Sequence, residues 1–353
     1  MMPPAQNRLL DSGSYAAAFR FTVEDQAGPL LDVTPLTVPS IRADTNANIH
    51  RVLQSFTIPA HQRARIDPLS NRVRVTMRLA DGTDWPCGLF VWASGAGELA
   101  STNAPFSGTL YDLGLAFDAP VPYTFGLAPG DVVTDAIRYL VADAGIDDLS
   151  IDPSDQRVAA PLNWPAGTIR RQVLADLAEL ASYVPVYFDS SGVARTHRPR
   201  PLDVGAGHQY VPGSTSRIIG GTLTETLIAA PGAHLVIGSG VATGAVTGYA
   251  EVPFTNPLNP TRRRQTRVEV HRPQGVTDSM HAQSMADNYA TRLPTDYRVV
   301  AVSTILDPRH DLFETVDFAT PGQPVETWRE VSFGFSCGPD WSMSHQLVKG
   351  AAT

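Results

Sequence analysis

The chain has 353 residues, of which 43% are hydrophobic and 18% are charged, and it contains 29 prolines and 28 glycines. This length predicts about two to four domains, and the many prolines and glycines favour short strands and turns over long helices. The formal net charge of −8 argues against a general phosphate-binding surface, and no run of about 18 apolar residues is present that would support a membrane span.

The two cysteines and the N-terminus bear on the compartment. Cys87 and Cys337 are far apart in the sequence. Two buried thiols are the simpler interpretation, and a disulfide between distant domains is the alternative. The first ten residues contain no apolar run like that of a signal peptide, so we expect the chain to be made and used without Sec export.

The stretch 15–97 has the alternation of apolar and polar residues that is typical of β-strands. Residues 19–23 and 73–79 alternate with a period of two, Asp81-Gly82 supplies a tight turn, and an aromatic run follows at 85–92. This order predicts a hairpin, and several short strands with turns predict a small barrel or sandwich. Further strand-like sequence at 105–125 leads to a domain boundary near Ala119.

The stretch 130–199 predicts two helices followed by a hairpin. The first helix is expected to begin at Asp131 and to stop at Gly145, and the second to begin at Thr168. The apolar stripe of the second helix contains Ile169, whereas Arg170 is expected on the polar side of that helix. Residues 184–197 then switch to a period of two around a Ser-Ser-Gly turn.

The remaining third alternates between strand-like and helical patterns. Strands are predicted between 218 and 252, a proline-containing loop at 253–260, and a helix at 276–293. Residues 297–305 read as a strand that is buried on most of both faces. Another strand begins at 316, and the aromatic residues between 328 and 347 predict a packed C-terminal segment.

The histidines and acidic residues do not form a recognisable catalytic or metal motif. The nine histidines have no metal-ligand spacing, and neither HExxH nor paired CxxC is present. His310-Asp311 beside Arg309 could form a catalytic dyad, but a surface turn is the preferred interpretation. An acidic segment lacks the order of an EF-hand and reads as solvated caps and turns; it contains Asp143, Asp147, Asp148, Asp152 and Asp155.

The glycine and arginine clusters do not form a recognisable binding motif either. Gly238, Gly240 and Gly244 fail the dinucleotide-binding spacing and instead indicate a turn region. Two basic runs could bind phosphate or nucleic acid, but a solvated face or a salt-bridged interface is preferred. These runs are Arg262, Arg263 and Arg264, and Arg195, Arg198 and Arg200.

Several segments of the helix–helix–hairpin stretch resemble the tail-hub proteins of bacteriophages. They are GDVVTDAI at 130–137, NWPAGT at 163–168, QVLADLA at 172–178 and the hairpin VYFDSSG at 186–192. The likeness is to the minor tail proteins of long non-contractile phages of actinobacteria, which are related to the baseplate hubs of contractile phages. The strand at 299–305, Pro308 and residues 316–318 resemble the family's final barrel strands, although residues 310–314 replace its usual small residues.

The resemblance implies a β-rich α+β fold with two small β-barrel domains plus smaller α/β domains. It places the first barrel at residues 1–118 and the helix–helix–hairpin domain at 119–204. The second barrel is split between 205–252 and 295–336. A small insertion with a helix occupies 253–294, and 337–353 is a C-terminal segment.

The function implied by the resemblance is a structural hub subunit of the virion tail tip, without catalysis, cofactor or metal. Such hubs form a homotrimeric ring that adapts the sixfold tail tube or distal tail protein to a threefold central fibre or spike. The implied partners are these proteins, the tape measure protein, and DNA that passes through the lumen without specific binding, which the net charge of −8 would favour by repulsion. Two alternatives remain at this point: a receptor- or glycan-binding tail protein, and a cell-wall hydrolase with unrecognised carboxylates.

Overall fold

The computed structural model describes residues 17–25, 27–97, 104–199, 206–211, 217–225, 231–240, 244–256, 258–273, 276–292, 298–319 and 322–349. The strands and helices form four parts that follow one another in the chain, apart from one insertion. We call them the first module, the helix unit, the second module and the insertion.

The first module consists of short strands and two short helical segments. Its strands are β1 (Ala17–Asp25), β2 (Gly28–Val33), β3 (Ser40–Asp44), β4 (Arg51–Ile58), β5 (Arg72–Leu79), β6 (Asp84–Gly97) and β7 (Phe106–Asp112). Helix α1 (Ala60–Arg63) lies between β4 and β5, and a 3₁₀ helix (Leu113–Asp118) follows β7. The predicted hairpin is β5–β6, and its turn contains Gly82 at a φ of 85°.

The helix unit follows with two helices and two small sheets. Its elements are β8 (Phe125–Leu127), α2 (Val133–Asp143), β9 (Leu149–Ile151), β10 (Leu162–Trp164), α3 (Arg170–Leu180), β11 (Tyr187–Phe188) and β12 (Ala194–Thr196). Both predicted helices and the predicted hairpin are present, and Gly145 follows α2 at a φ of 78°.

The helices of this unit begin two residues later than predicted. The Asp131 carboxylate accepts a hydrogen bond from the Ala128 amide at 2.8 Å, and the Thr168 hydroxyl donates to the Pro165 carbonyl at 2.7 Å. Each side chain therefore stabilises the turn before the helix rather than capping the helix itself.

The polar face of α3 also differs from the prediction. Ile169 is exposed, whereas Arg170 is buried. The Arg170 guanidinium donates to Asp143 of α2 at 2.6 Å. A buried arginine is tolerated here because a carboxylate compensates its charge. Asp143 was predicted to be a solvated cap or turn residue, but it is the ion-pair partner of Arg170.

The second module and the insertion complete the chain. The second module consists of β13 (His208–Tyr210), β14 (Ile218–Glu225), β18 (Arg298–Ile305), β19 (Thr315–Phe318), β20 (Glu326–Ser336) and β21 (Ser342–Lys349). The insertion contains β15 (Ala233–Gly240), β16 (Gly244–Glu251), α4 (Pro260–Arg263), β17 (Val268–His271) and α5 (Ser279–Arg292). Helix α4 lies at the end of the segment that was predicted to be loop.

One long sheet joins the two modules. Its strand order is β14-β18-β21-β20-β3-β4-β7-β6-β5-β1-β2, and β13 and β19 extend from β20. The joint is β20, which pairs with β19 through its first half and with β3 through its second half. Over the described residues this path has two ends, β2 and β14. The strand pairings among the described residues therefore do not close a barrel, and the predicted pair of small barrels is not confirmed.

A β-bulge lies where β20 changes its partner. The register with β21 shifts between Glu330 and Ser332, which leaves Val331 as the extra residue. The Val331 carbonyl accepts a hydrogen bond from the Thr45 amide at 2.8 Å, so the first module satisfies the backbone group that the bulge releases. The largest apolar core is shared across this joint: it contains Phe21, Val75 and Phe90 from one side and Leu306, Phe333 and Met343 from the other.

Strand β18 is less buried than predicted. Val300, Val302 and Thr304 are buried, whereas Ala301 on the opposite face is exposed. Antiparallel neighbours β14 and β21 flank the strand, and such a sheet commonly has one solvated face. Tyr297, which the prediction also placed on this strand, lies outside the described residues. Among the helices that the structure describes, none has the length and apolar character needed to cross a membrane.

Candidate functional site

Arg51 forms the centre of a junction between three distant parts of the chain. Arg51 is 2% exposed, and its Nη2 donates a hydrogen bond to Oδ1 of Asp311 at 2.7 Å. Nη1 donates to the Cys87 carbonyl at 3.2 Å, and the Arg51 amide donates to Asp112 at 2.8 Å. The second oxygen of Asp311 accepts from the Ser190 amide at 3.4 Å, so the first module, the helix unit and the second module meet here.

The two carboxyl groups of this junction are affected by burial. Burial raises the pKa of Asp311 to about 6, although the Arg51 guanidinium acts in the opposite direction. Burial also raises the pKa of Asp112 to about 6, against the hydrogen bonds that it accepts from the Arg51 and Gly114 amides. The Arg51 charge is therefore necessary to keep carboxylates stable in this interior.

A second set of contacts fixes the helix unit to the first module. Arg171 at the start of α3 donates to Asp118 at 2.7 Å and to the Gly114 carbonyl at 2.7 Å, and it also donates to the Asn48 carbonyl. On the other side, Arg74 of β5 donates to the Ser191 carbonyl in the hairpin turn at 3.1 Å. Contacts at both ends restrict rotation of the helix unit against the sheet.

The second module contains a buried cluster of histidines around Glu330. One Glu330 oxygen accepts from Nδ1 of His310 at 2.7 Å, and the other is bonded to Nδ1 of His345. Nε2 of His310 is bonded to the Tyr210 hydroxyl at 2.6 Å, and Nε2 of His345 to the Thr304 hydroxyl at 2.8 Å. The five residues are at most 3% exposed, and the bulge in β20 sets the direction of the central carboxylate.

His208 extends this cluster towards the solvent. Its ring stacks on the ring of His310 at a centroid distance of 3.7 Å, and its nitrogens lie 3.8 Å from Asp307 and 3.3 Å from Glu314. Burial lowers the pKa of His208, but the two carboxylates outweigh it and raise the value to about 9. Burial lowers the pKa of His310. The two carboxylates therefore favour the charged form of His208, whereas burial favours the neutral form of His310.

The histidine cluster is suited to holding strands together rather than to catalysis. Burial would raise the pKa of Glu330, but His310 and His345 lower it to about 2, so the carboxylate stays ionised. Every ring nitrogen of these two histidines already has a partner, which leaves no lone pair for a metal ion or a substrate. The alternative of a catalytic dyad is not formed, because His310 bonds to Glu330 and Asp311 bonds to Arg51. The surface-turn interpretation is wrong for His310, which is 2% exposed.

The sequence contains only a weak signal for this cluster. Asp307, His310 and Glu314 fall within eight positions, whereas Glu330 and His345 follow much later. Strand pairing brings them together, since β19, β20 and β21 are neighbours in the sheet. No spacing rule for a metal or a catalytic triad covers such an arrangement.

Trp328 and Trp341, which a glycan-binding groove would expose, are not fully exposed. Trp328 is 2% exposed and lies beneath the Arg298 and Lys349 side chains. Trp341 is half-buried and stacks on Phe19 at 5.9 Å. A groove of about 530 Å³ does cross β3, β20, β21 and β18, and its lining includes six serines as well as Phe333 and Phe335.

The other singled-out residues are dispersed. Gly238, Gly240 and Gly244 belong to the β15–β16 hairpin, so the turn region is largely strand. Residues 262–264 lie on and just after α4, and Arg195 pairs with Asp189 at 2.6 Å. Arg200 lies outside the described residues. Cys87 and Cys337 are buried free thiols, as the simpler interpretation predicted, and burial raises the pKa of Cys87 to about 12.

The two ends of the long sheet are candidate interaction surfaces. Within the described residues, β14 pairs on one side with β18, and β2 pairs on one side with β1. Ile219 is 62% exposed and Leu223 is 44% exposed on β14, and Leu30 of β2 is 43% exposed. Unpaired strand edges with apolar side chains favour association with another chain.

No protein-family model and no curated protein sequence matches the chain. Solved structures do match it, and three of them are tail proteins. The tail protein from Neisseria meningitidis has a TM-score of 0.67 at 11% identity, and the match covers 94% of this chain and 97% of that one. The 43 kDa tail protein of prophage MuSo2 from Shewanella oneidensis has a TM-score of 0.65 at 12% identity, with 94% and 98% covered. Prophage tail protein gp18 from Listeria monocytogenes has a TM-score of 0.56 at 10% identity, with 95% of each covered. The chain therefore has a β-rich fold similar to that of phage tail proteins.

Proposed function

We propose that this chain is a structural subunit of a bacteriophage tail and acts at the tail tip as a hub, without catalysis. The observation that carries the proposal is the similarity to phage tail proteins over nearly the whole length of both chains. A likeness confined to one module would be compatible with many functions, because folds are shared between unrelated activities. A likeness that covers nearly all of both chains, and so includes the helix unit and the insertion, favours a common role.

The proposed assembly is a homotrimeric ring. In it, residues 1–118 form the first barrel-like domain and residues 205–252 with 295–336 the second, and the two alternate around the ring to give pseudo-sixfold symmetry. The domain at 119–204 braces them, and 337–353 is the C-terminal segment. The insertion includes the predicted stretch 253–294 and also β15 and β16 from within 205–252. The exposed edges β2 and β14 support this arrangement, because neighbouring copies can extend the sheet through them.

The proposed neighbours follow from this symmetry. The pseudo-sixfold face would contact the tail tube or the distal tail protein, and the threefold face would hold a central fibre or spike. The tape measure protein and passing DNA would occupy the lumen, and the net charge of −8 supports passage of DNA without adhesion. The junction at Arg51 suits such a part, since a hub must keep its modules at fixed angles while carrying load.

Two measurements test the proposal. Native mass spectrometry of the purified chain is expected to give about three times the chain mass of 37.9 kDa. Immunogold electron microscopy of virions that carry the gene is expected to label the tail tip, and disruption of the gene is expected to stop tail assembly. A monomer that is absent from virions would overturn the proposal. A strongly basic lumen in an assembled ring would overturn the part that concerns DNA.

A further inference from the structure

A second group of histidines lies on the insertion, away from the buried cluster around Glu330. His234 of β15 and Glu269 of β17 are directly paired in the parallel register, and His271 follows two positions later on the same face of β17. Nδ1 of His234 lies 3.1 Å from Nε2 of His271 and 3.7 Å from Oε2 of Glu269. All three ligand atoms lie within 4.8 Å of one another.

These distances match the spacing of ligands around one ion. Zinc binds histidine nitrogen at about 2.0–2.1 Å and carboxylate oxygen at about 2.0–2.2 Å in tetrahedral geometry, which places ligand atoms roughly 3.3–3.5 Å apart. The observed 3.1 and 3.7 Å lie on either side of that range. The Glu269 side chain is 53% exposed, so it has room to move towards the two histidines.

The hydrogen bonds around His234 leave this group unsatisfied. His234 is 1% exposed, yet its Nε2 has no hydrogen-bond partner among the described residues. In the cluster around Glu330, by contrast, every ring nitrogen of His310 and His345 has a partner. Coordination of a metal through Nδ1 would fix the tautomer with the proton on Nε2. The site is therefore supported by the spacing of the three ligand atoms rather than by the open Nε2.

The access route also suits a metal. A cavity of about 310 Å³ reaches His271, and its lining includes Tyr183, Met285 and Tyr289. An ion can therefore reach the ligands from solvent.

We infer that His234, Glu269 and His271 form a binding site for a divalent transition-metal ion with zinc-like preferences. Two imidazoles and one carboxylate suit zinc better than calcium or magnesium, which prefer oxygen ligands. The chain supplies three ligands and water completes the coordination. This inference departs from the expectation of no metal that the resemblance implied, and it does not depend on the proposed function.

The ion would brace the insertion against the helix unit. It would link β15 to β17 and fix the ring of His271, which stacks on Tyr289 of α5 at 4.0 Å. The Tyr289 hydroxyl in turn donates to Glu179 of α3. A bound ion would thus be connected to the helix unit through the stacked His271–Tyr289 pair and the hydrogen bond from Tyr289 to Glu179.

The test is titration of the full-length chain, without a histidine tag and after removal of metals with EDTA. Cobalt(II) is expected to bind at one equivalent per chain with the visible d–d absorption of a four-coordinate ion, and zinc is expected to displace it. Zinc is also expected to raise the thermal midpoint of unfolding. Absence of saturable binding at one equivalent would overturn the inference.

Variants assign the binding to these residues. His271→Ala is expected to weaken zinc binding by more than about 100-fold, since loss of a partner that only orients a ligand already costs about 10- to 100-fold. The matched control is His281→Ala on α5 of the same insertion, which is expected to bind as the parent does. If His271→Ala fails to fold, Glu269→Gln decides, because its side chain is half exposed. Unchanged binding in the deciding variant would overturn the assignment.

Discussion

Arg51 and Asp311 lie 260 positions apart in the chain, and their side chains form an ion pair with 2.7 Å between Nη2 and Oδ1. The arginine side chain is 2% exposed and the aspartate side chain 20% exposed. The pair connects β4 of the first module to the segment before β19 of the second, and the Ser190 amide adds the helix unit. One buried cation therefore bridges three parts of the fold.

Arg51→Ala is expected to destabilise the chain by about 3–5 kcal/mol, because it leaves a buried carboxylate without its cation. Urea denaturation followed by circular dichroism measures the loss. The control is Arg78→Ala, which removes an ion pair with Asp84 whose side chains are 49% and 38% exposed, and it should cost about 1 kcal/mol or less. Equal losses in the two variants would contradict the role of the junction.

Stability is expected to fall between pH 6.5 and about 9 because of His208. Its folded-state pKa of about 9 lies above the ordinary value of 6.5, so its contribution is complete below pH 6.5 and is lost as the pH rises through 9. The upper limit is about 3 kcal/mol, since each pKa unit corresponds to about 1.4 kcal/mol. Unfolding free energies measured at about pH 6.5, 7.5, 8.5 and 9.5 give the slope of stability against pH.

The variant that isolates this effect is His208→Gln, which is expected to flatten the slope. His61→Gln, a change at an exposed histidine on α1, is expected to retain the parental slope. A parental slope in His208→Gln would show that other groups cause the dependence.

Glu330→Gln is expected to cost about 3 kcal/mol, the scale of one or two charge-assisted hydrogen bonds. The amide cannot accept on both sides from His310 and His345, and the carboxylate is 1% exposed. Chemical denaturation at pH 7 measures the loss. The exposed control Glu251→Gln should change stability by about 0.5 kcal/mol or less. A loss as small as that of the control would mean that the cluster does not stabilise the sheet.

Gly192→Ala is expected to destabilise more than Gly130→Ala. Both glycines are in the left-handed region, at φ of 88° and 96°, so each alanine costs about 1–2 kcal/mol of backbone strain. A methyl group at Gly192 would also lie 2.9 Å from Leu89 of β6, whereas no atom lies within 4 Å of the corresponding position at Gly130. The additional loss should be about 1–3 kcal/mol, as for overpacking. Thermal or urea unfolding of both variants gives the difference, and equal losses would mean that the hairpin turn is not packed against the first module.

Ile219→Lys combined with Leu223→Lys is expected to dissociate the proposed trimer. These side chains are 62% and 44% exposed on the edge strand β14, so lysines there disfavour strand pairing without disturbing the core. Native mass spectrometry should give a monomer, and the unfolding midpoint of the monomer should remain close to that of the dissociated parent. Met280→Lys, at an 82% exposed position on α5, serves as the control that stays trimeric. Persistence of the trimer in the double variant would exclude β14 as the interface.

The sequence by itself determined the local elements and their order. The period of α2, the turn at Gly82 and the hairpin β11–β12 were predictable, because periodicity and turn residues act over a few positions. The buried free cysteines were predictable for a similar reason, since two isolated thiols carry no pairing pattern. The predicted starts of the two helices were each two residues too early. Asp131 and Thr168 form hydrogen bonds with residues of the preceding turns instead of capping the helices.

The tertiary structure alone decided which distant residues meet. The pairing of β20 with both β19 and β3 buries His310, and the ion pair of Arg170 with Asp143 reverses the expected polar face of α3. The metal site follows the same rule: Glu269 and His271 share a strand face, but parallel pairing of β17 with β15 brings His234 to them. Such contacts depend on the register between strands far apart in the chain, and that register is set by the packing of the whole sheet rather than by any local pattern.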